Sequence, residues 1–250
     1  MNRDDFGRRG QVTIFVLLAI VIVAAILIYF FVFGGPSGFF DRTGVKGFEG
    51  CVEDALEVGI SELETSGGVA QARFTYPYMG EEYTYLCYSG EYYETCAVQV
   101  PLLKASFEEG LEAMIQDDVV ACYDASLNGL KDQGYEVVSG EVDFDVVIDP
   151  GRVSVLIDAP TSVESQRFTR FNTMVNSPLY EMLMIATSIV QFEASYGDSN
   201  TDAIMLYYPD YYVEKVKRGD GTTVYILENK MFGDKFKFAS RSLVFRAGYD

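Results

Sequence analysis

The 250-residue chain contains no histidine, and this absence excludes several kinds of active site. Ser-His-Asp and Cys-His nucleophilic sites, HExxH zinc sites and histidine phosphotransfer all require an imidazole. The chain also lacks the GxxxxGK[ST] phosphate loop and the GxGxxG dinucleotide fingerprint. We therefore predict no catalytic site, no cofactor and a non-enzymatic protein. Hydrolysis by two paired carboxylates stays a distant alternative, because it needs only two acids.

Metal sites and glycosylation signals are also scarce. There is no CxxC pair and no N-x-[ST] acceptor, so neither a zinc site nor N-glycosylation is expected. The segment 198–202 resembles the start of a calcium loop, but Ala203 replaces the glycine of its sixth position and Pro209 the glutamate of its twelfth. We interpret it as a turn with a helix cap and predict no metal.

Basic residues are few, with 19 Lys and Arg against 37 Asp and Glu and a formal net charge of −18. Such a surface repels nucleic acid and anionic lipid, because both bind to basic patches. We predict no nucleic-acid partner. The composition suits a soluble acidic face or the binding of cations and basic partners.

One long apolar run stands out, at Val12 to Phe33, and it contains no charge and no proline. At 1.5 Å per residue its helix is roughly 33 Å long, which is enough to cross a bilayer core of about 30 Å. A backbone in lipid must satisfy its own hydrogen bonds, which requires a helix. We predict a transmembrane helix at 11–33 with the lipid bilayer as partner.

The charges beside this run set its orientation. The tail at 1–10 places Arg8 and Arg9 against the span, whereas no charge follows it until Asp41. Basic residues next to a span stay in the cytoplasm. We predict a single-pass protein of the cell membrane with a cytoplasmic tail at 1–10, a linker at 34–47 and an extracellular domain at 48–250. The run is too long for a cleaved secretory signal.

The segment Arg9-Gly-Gln-Val-Thr-Ile-Phe15 resembles the opening of a set of archaeal single-span surface proteins. Its basic-Gly-Gln step is also similar to the class III signals of archaeal pilins and archaellins. That similarity implies cleavage by a prepilin peptidase after Gly10, which leaves Gln11 as the new N-terminus. Pilins carry glutamate at the fifth mature residue, where this chain has Phe15. Cys51, Cys122 and the segment 236–241 are also similar to the first set.

The rest of the chain predicts an α+β fold of antiparallel strands with packed helices. Three- and four-residue spacing from Val52 to Leu63 predicts a helix that begins near Phe48, with its acidic residues, including Glu64, on the opposite face. Residues 69–100 alternate as strands do, and the segments 135–149 and 152–159 predict a hairpin. Asp117-Asp118 is interpreted as a break between two helices, and a subdivision of the domain is possible near residue 133. No repeat is present.

Eight tyrosines and phenylalanines lie in the segment from Phe74 to Tyr93. A tyrosine-rich face can bind glycans or peptides, because each ring combines apolar area with a hydroxyl. Tyrosine is equally a common residue of half-buried strands. Other surface proteins and glycans are therefore candidate partners.

The four cysteines predict two disulfides if the domain lies in an oxidising compartment. Cys87 and Cys96 flank one predicted turn, so they form a local pair. Cys51 and Cys122 would then join two helical units. Four free thiols remain the alternative. Together these features predict a membrane-anchored surface protein with a structural or adhesive role, and the alternative is a pilin-like subunit.

Overall fold

A computed structural model of the chain describes residues 22–23 and 37–244. The chain divides into one unit that ends at Lys46 and a second, compact unit that begins at Gly47. The second unit has the α+β fold that the sequence predicted, with mainly antiparallel sheets and packed helices.

The predicted membrane span lies outside the described residues, except for Ile22 and Val23, which are helical. Among the residues that are described, no helix is both long enough and apolar enough to cross a membrane. The span at 11–33 and the cleavage site at Gly10 and Gln11 therefore stay predictions.

The first described helix, α1 (Ser37–Thr65), begins earlier than the sequence predicted. We expected a linker at 34–47 and a helix start near Phe48. An existing helix gains one hydrogen bond for each added residue, and glycines in this segment weaken the helix without ending it. From Gly47 onwards α1 buries Val52, Leu56 and Leu63.

Helix α2 (Leu103–Asp132) is continuous, so the predicted break at Asp117-Asp118 is wrong. Both aspartates are exposed, where a helix tolerates them, and the buried stripe continues past them through Val119 and Cys122. Helices α1 and α2 approach closely at Gly59. A Cβ atom there would lie 2.7 Å from Cδ1 of Leu111, so a larger residue would separate the helices.

Six strands form the first sheet, in the order β1-β2-β10-β9-β8 with β3 also paired to β2. Strands β2 and β10 are parallel, and the other pairs are antiparallel. The strands are β1 (Thr75–Tyr78), β2 (Glu81–Tyr88), β3 (Ala97–Val98), β8 (Tyr211–Lys217), β9 (Thr222–Asn229) and β10 (Lys235–Arg241). The parallel pair was not predicted, because its strands lie far apart in the sequence.

The second sheet contains the predicted hairpin and two further strands. Strand β6 is its centre and pairs with β7 on one side and with β4 and β5 on the other, all antiparallel. The strands are β4 (Val137–Ser139), β5 (Asp143–Asp149), β6 (Arg152–Val163) and β7 (Gln166–Asn176).

Helix α3 (Leu179–Tyr196) contacts strands of both sheets, and the short helix α4 (Thr201–Tyr207) follows it. The α3 residues Met182, Ile185 and Ile189 are fully buried. Both sheets and the helices from Gly47 onwards share one large hydrophobic core.

Candidate functional site

Two disulfides are present, so the prediction of a disulfide-containing domain is confirmed. One bond joins Cys51 of α1 to Cys122 of α2, with a Cα–Cα distance of 5.8 Å. The other joins Cys87 of β2 to Cys96, just before β3, with a Cα–Cα distance of 5.3 Å. The chain has four cysteines, and none is free.

The two bonds constrain loops of very different length. The Cys51–Cys122 bond spans 71 residues and the Cys87–Cys96 bond only 9. In the chain-entropy model the longer loop contributes about 4 kcal/mol to the free energy of unfolding and the shorter one under about 3 kcal/mol. The longer bond also fixes α1 beside α2.

The tyrosine-rich strands form a small second core on the first sheet. Tyr83 and Tyr85 are almost fully buried there against Val224 and Ala239. The Tyr85 hydroxyl is 2.8 Å from Oγ1 of Thr222 in a buried hydrogen bond. Burial and the nearby Glu81 raise the pKa of Tyr83 to about 12. These two rings therefore serve the packing of the sheet.

Other aromatic rings of the predicted glycan- or peptide-binding face are not packed in this way. The exposed fractions of Tyr92 and Tyr93 are 62% and 68%. Phe74 stacks on Tyr88 with a centroid distance of 5.2 Å and stays half exposed. The structure therefore divides the tyrosine-rich segment into packed rings and a few outward rings, and it does not gather them around one cavity.

The strongest candidate site is a cleft of about 470 Å³, which we name the Glu64 cleft. Its walls are the last turns of α1, the end of β7 and the turn between β9 and β10. The residues that define it are Ile60, Glu64, Asn176, Ser177, Asp234 and Lys237. All of these elements belong to the compact unit that begins at Gly47.

Glu64 is held at the floor of this cleft by the end of α1. The helix ends at Gly67-Gly68, where both glycines have positive φ and the Gly68 N–H donates to the Leu63 carbonyl at 2.8 Å. The Thr84 hydroxyl of β2 donates to the Ser66 carbonyl at 2.5 Å. These contacts hold the last turn of α1 against the first sheet.

One oxygen of the Glu64 carboxyl group is buried without a hydrogen-bond partner among the described residues. Glu64 is only 5% exposed, and no described residue donates a hydrogen bond to its Oε1. Burial, together with the negative charge of Asp234, raises the pKa of Glu64 to about 8. At neutral pH Glu64 is therefore mostly protonated in this environment, and it can act as a proton donor or change its charge on binding.

Asp234 is the second carboxyl group of the cleft, and burial raises its pKa as well. The two lysines of the same wall already have other partners. Nζ of Lys237 lies 2.6 Å from Glu81, and Nζ of Lys235 lies 3.2 Å from Glu228. With the exposed Glu57, three carboxyl groups therefore line the cleft, and no described cation forms a salt bridge with them.

The sequence interpretation missed this role, because it placed Glu64 on the exposed acidic face of the helix. The spacing of the apolar residues in α1 already indicated that Glu64 is buried. Val52, Leu56, Ile60 and Glu64 follow one another at intervals of four residues, so Glu64 continues the buried stripe. A charged residue on an apolar stripe is the pattern that marks a buried carboxyl group.

No protein-family model matches the chain, and no curated protein or solved structure is significantly similar to it.

A second buried carboxyl group, Glu193 of α3, differs from Glu64 because its hydrogen bonds are satisfied. The Tyr225 hydroxyl donates to Oε1 of Glu193, and the Ser240 hydroxyl donates to Oε2 at 3.2 Å. Burial raises the pKa of Glu193, and the hydrogen bond from Tyr225 opposes that shift. This network joins α3 to strands β9 and β10, so we interpret it as structural.

The segment 198–202 does not form a calcium loop. Nζ of Lys215 binds Oδ1 of Asp198 and also donates to the Ser199 carbonyl at 2.6 Å. Oδ1 of Asn200 accepts from the Ala203 N–H at 3.1 Å, which makes Asn200 the cap of α4. Within residues 22–23 and 37–244, no group of three or more acidic or cysteine side chains is placed to hold a metal ion.

Proposed function

We propose that the chain is a surface protein tethered in the cell membrane, with residues from 48 onwards outside and a structural or ligand-binding role. The observation that carries this proposal is the pairing of all four cysteines in disulfides. Disulfides persist in oxidising compartments and are rare in the cytosol. The apolar run at 11–33, with arginines before it, supplies the tether.

The charge of the protein supports the same location and limits its partners. A net charge of −18 keeps a surface domain soluble and repels nucleic acid and anionic headgroups. The binding role rests on the Glu64 cleft, which combines a buried, unpaired carboxyl oxygen with open volume.

Thiol labelling in intact cells tests the location. Under this proposal a membrane-impermeant maleimide labels no cysteine before reduction and labels all four after an impermeant reductant and denaturation of the exposed domain. Labelling that appears only after the membrane is lysed would place the domain in the cytoplasm and refute the proposal.

A pilin-like subunit is the second candidate, because the basic-Gly-Gln step before Val12 is similar to a class III signal. N-terminal sequencing of the protein from native membranes decides between the two. A start at Gln11 supports processing, whereas an intact Met1 or Asn2 excludes it. Filaments seen by electron microscopy would refute the monomeric tether.

A hydrolase with paired carboxylates ranks third. Glu64 and Asp234 provide two acids in one cleft, which is the minimum that such chemistry needs. The residues that line the cleft in the described structure include no aromatic ring on which a sugar would stack. Release of reducing sugar from cell-surface glycans by the wild type, and its loss in Glu64→Gln, would promote this candidate.

A further inference from the structure

We propose that the Glu64 cleft binds an organic cation, namely a primary ammonium or guanidinium group on a small molecule or on a lysine or arginine side chain. This inference names a ligand class for the binding role proposed above, and it rests on that role.

The first observation is the unpaired oxygen. Glu64 is 5% exposed, and its Oε1 is fully buried with no hydrogen-bond donor among the described residues. Native proteins pair nearly all of their buried polar atoms, because an unpaired one is strongly destabilising. The Glu64 side chain lines the cleft, so a ligand bound there lies beside this carboxyl group. An N–H donor of a ligand would supply the missing hydrogen bond.

The second observation is the number of carboxyl groups that line the cleft, three against two lysines. Asp234 faces the same space as Glu64, and the exposed Glu57 lies at its edge. Lys235 and Lys237 are the cations of this wall, and each is paired with a carboxylate outside the cleft. A positively charged ligand would form charge-assisted hydrogen bonds with Glu64 and Asp234, which are stronger than neutral ones.

The size and the walls of the cleft favour an organic cation over a metal ion. A volume of about 470 Å³ is far larger than a bare ion needs, and no group of three or more metal-binding side chains occurs among the described residues. Ile60 and Val175 line the cleft beside the polar groups. Such a wall suits the alkyl stem of an amine, which packs on apolar surface while its charged end makes polar contacts.

The net charge of the protein favours the approach of the same ligands. At −18 the protein attracts cations over a distance of about 10 Å at 0.1 M salt. The affinity should therefore fall as the salt concentration rises.

Proton release distinguishes a cationic ligand from a neutral one. The pKa of Glu64 is raised to about 8, and the other titratable groups that line the cleft are Glu57, Asp234, Lys235 and Lys237. A bound cation favours the ionised carboxylate, so Glu64 should lose its proton on binding. At pH 7 this corresponds to at most about one proton for each ligand bound, whereas a neutral hydrogen-bonding ligand should release none.

Calorimetric titration of the full-length protein in a non-ionic detergent tests the proposal. The probes are N-acetyl-lysine methylamide, N-acetyl-arginine methylamide and, as the uncharged control, N-acetyl-norleucine methylamide. Titrations in buffers that differ in their enthalpy of ionisation count the protons released. We expect the two cationic probes to bind once per chain with proton release, and norleucine to bind at least about tenfold more weakly.

The variants assign the binding to the cleft. Glu64→Gln should weaken both cationic probes by about tenfold or more and abolish the proton release, because the amide has no acidic proton. Asp234→Asn should weaken binding and keep part of the proton release. The matched control is Glu62→Gln, which makes the same substitution at an exposed position on α1 and should leave the affinity within about twofold.

Three results would overturn the inference: no binding of either cationic probe up to about 10 mM, equal binding of norleucine, or an unchanged affinity in Glu64→Gln. Circular dichroism and the count of free thiols show whether each variant is folded. If Glu64→Gln does not fold, the affinity of Asp234→Asn and the number of protons that the wild type releases still decide whether the cleft binds an organic cation. A failed titration leaves the membrane tether untouched, because thiol labelling tests that part separately.

Discussion

Glu64 should make the protein less stable as the pH rises, and Glu64→Gln should remove most of this dependence. The pKa of Glu64 rises from 4.5 in the unfolded chain to about 8 in the folded protein. Between these values the folded protein keeps a proton that the unfolded chain has released. The free energy of unfolding therefore falls with rising pH through this window and levels off above pH 8.

The magnitude follows from the two pKa values. Relative to a carboxyl group that is always protonated, Glu64 lowers the free energy of unfolding by about 1 kcal/mol at pH 5, about 3 kcal/mol at pH 7 and about 5 kcal/mol at pH 9. These are upper values, because water that enters the opened cleft would solvate the charge. Glutamine has nearly the same shape as the protonated acid, so Glu64→Gln should be more stable than the wild type by these amounts.

Urea unfolding at pH 5, 7 and 9 with the disulfides intact measures the effect. Near-ultraviolet circular dichroism follows the buried tyrosines, and the full-length chain is used in the same detergent throughout. Glu62→Gln on the exposed side of α1 is the control, and it should change the stability by less than about 0.5 kcal/mol at every pH. If Glu64→Gln and the wild type depend equally on pH, the assignment of a raised pKa to Glu64 is wrong.

Three further variants test the parts that hold the fold together. Replacing both Cys51 and Cys122 by serine should lower the free energy of unfolding by about 4 kcal/mol in urea unfolding, and a loss below about 1 kcal/mol would show that the 71-residue loop is already restrained. Tyr225→Phe leaves an oxygen of Glu193 without its donor, so we expect a loss of about 1–3 kcal/mol, and an unchanged urea midpoint would contradict the hydrogen bond. Gly68→Ala places a side chain at a φ of 75°, which should lower the thermal midpoint by several degrees in calorimetry, whereas equal midpoints would argue against this turn.

The sequence was sufficient for the local elements of the domain. Three- and four-residue spacing identified α1 from Phe48 onwards, and period-two alternation identified the hairpin of β5 and β6. It was also sufficient for the presence of disulfides, because four cysteines behind a predicted membrane anchor have few other uses. These features depend on neighbours within one helix or one hairpin, so a local pattern contains them.

The sequence failed where distant segments meet. The parallel pair of β2 and β10 joins strands about 150 residues apart, and no local pattern determines such a pairing. The break expected at Asp117-Asp118 did not occur, because contacts of the buried stripe of α2 outweigh two residues of low helix propensity on its exposed side.

The candidate site was decided by the tertiary structure alone. The sequence supplied Glu64 on a stripe of buried positions, but it could not show that β7 and the turn after β9 would enclose that residue beside Asp234. A pKa depends on burial and on charges that are near in space, and both are properties of the folded chain. The sequence therefore determined the composition, the apolar run and the helices, whereas packing decided which acidic residue of the described part places a buried, unpaired oxygen beside a cleft.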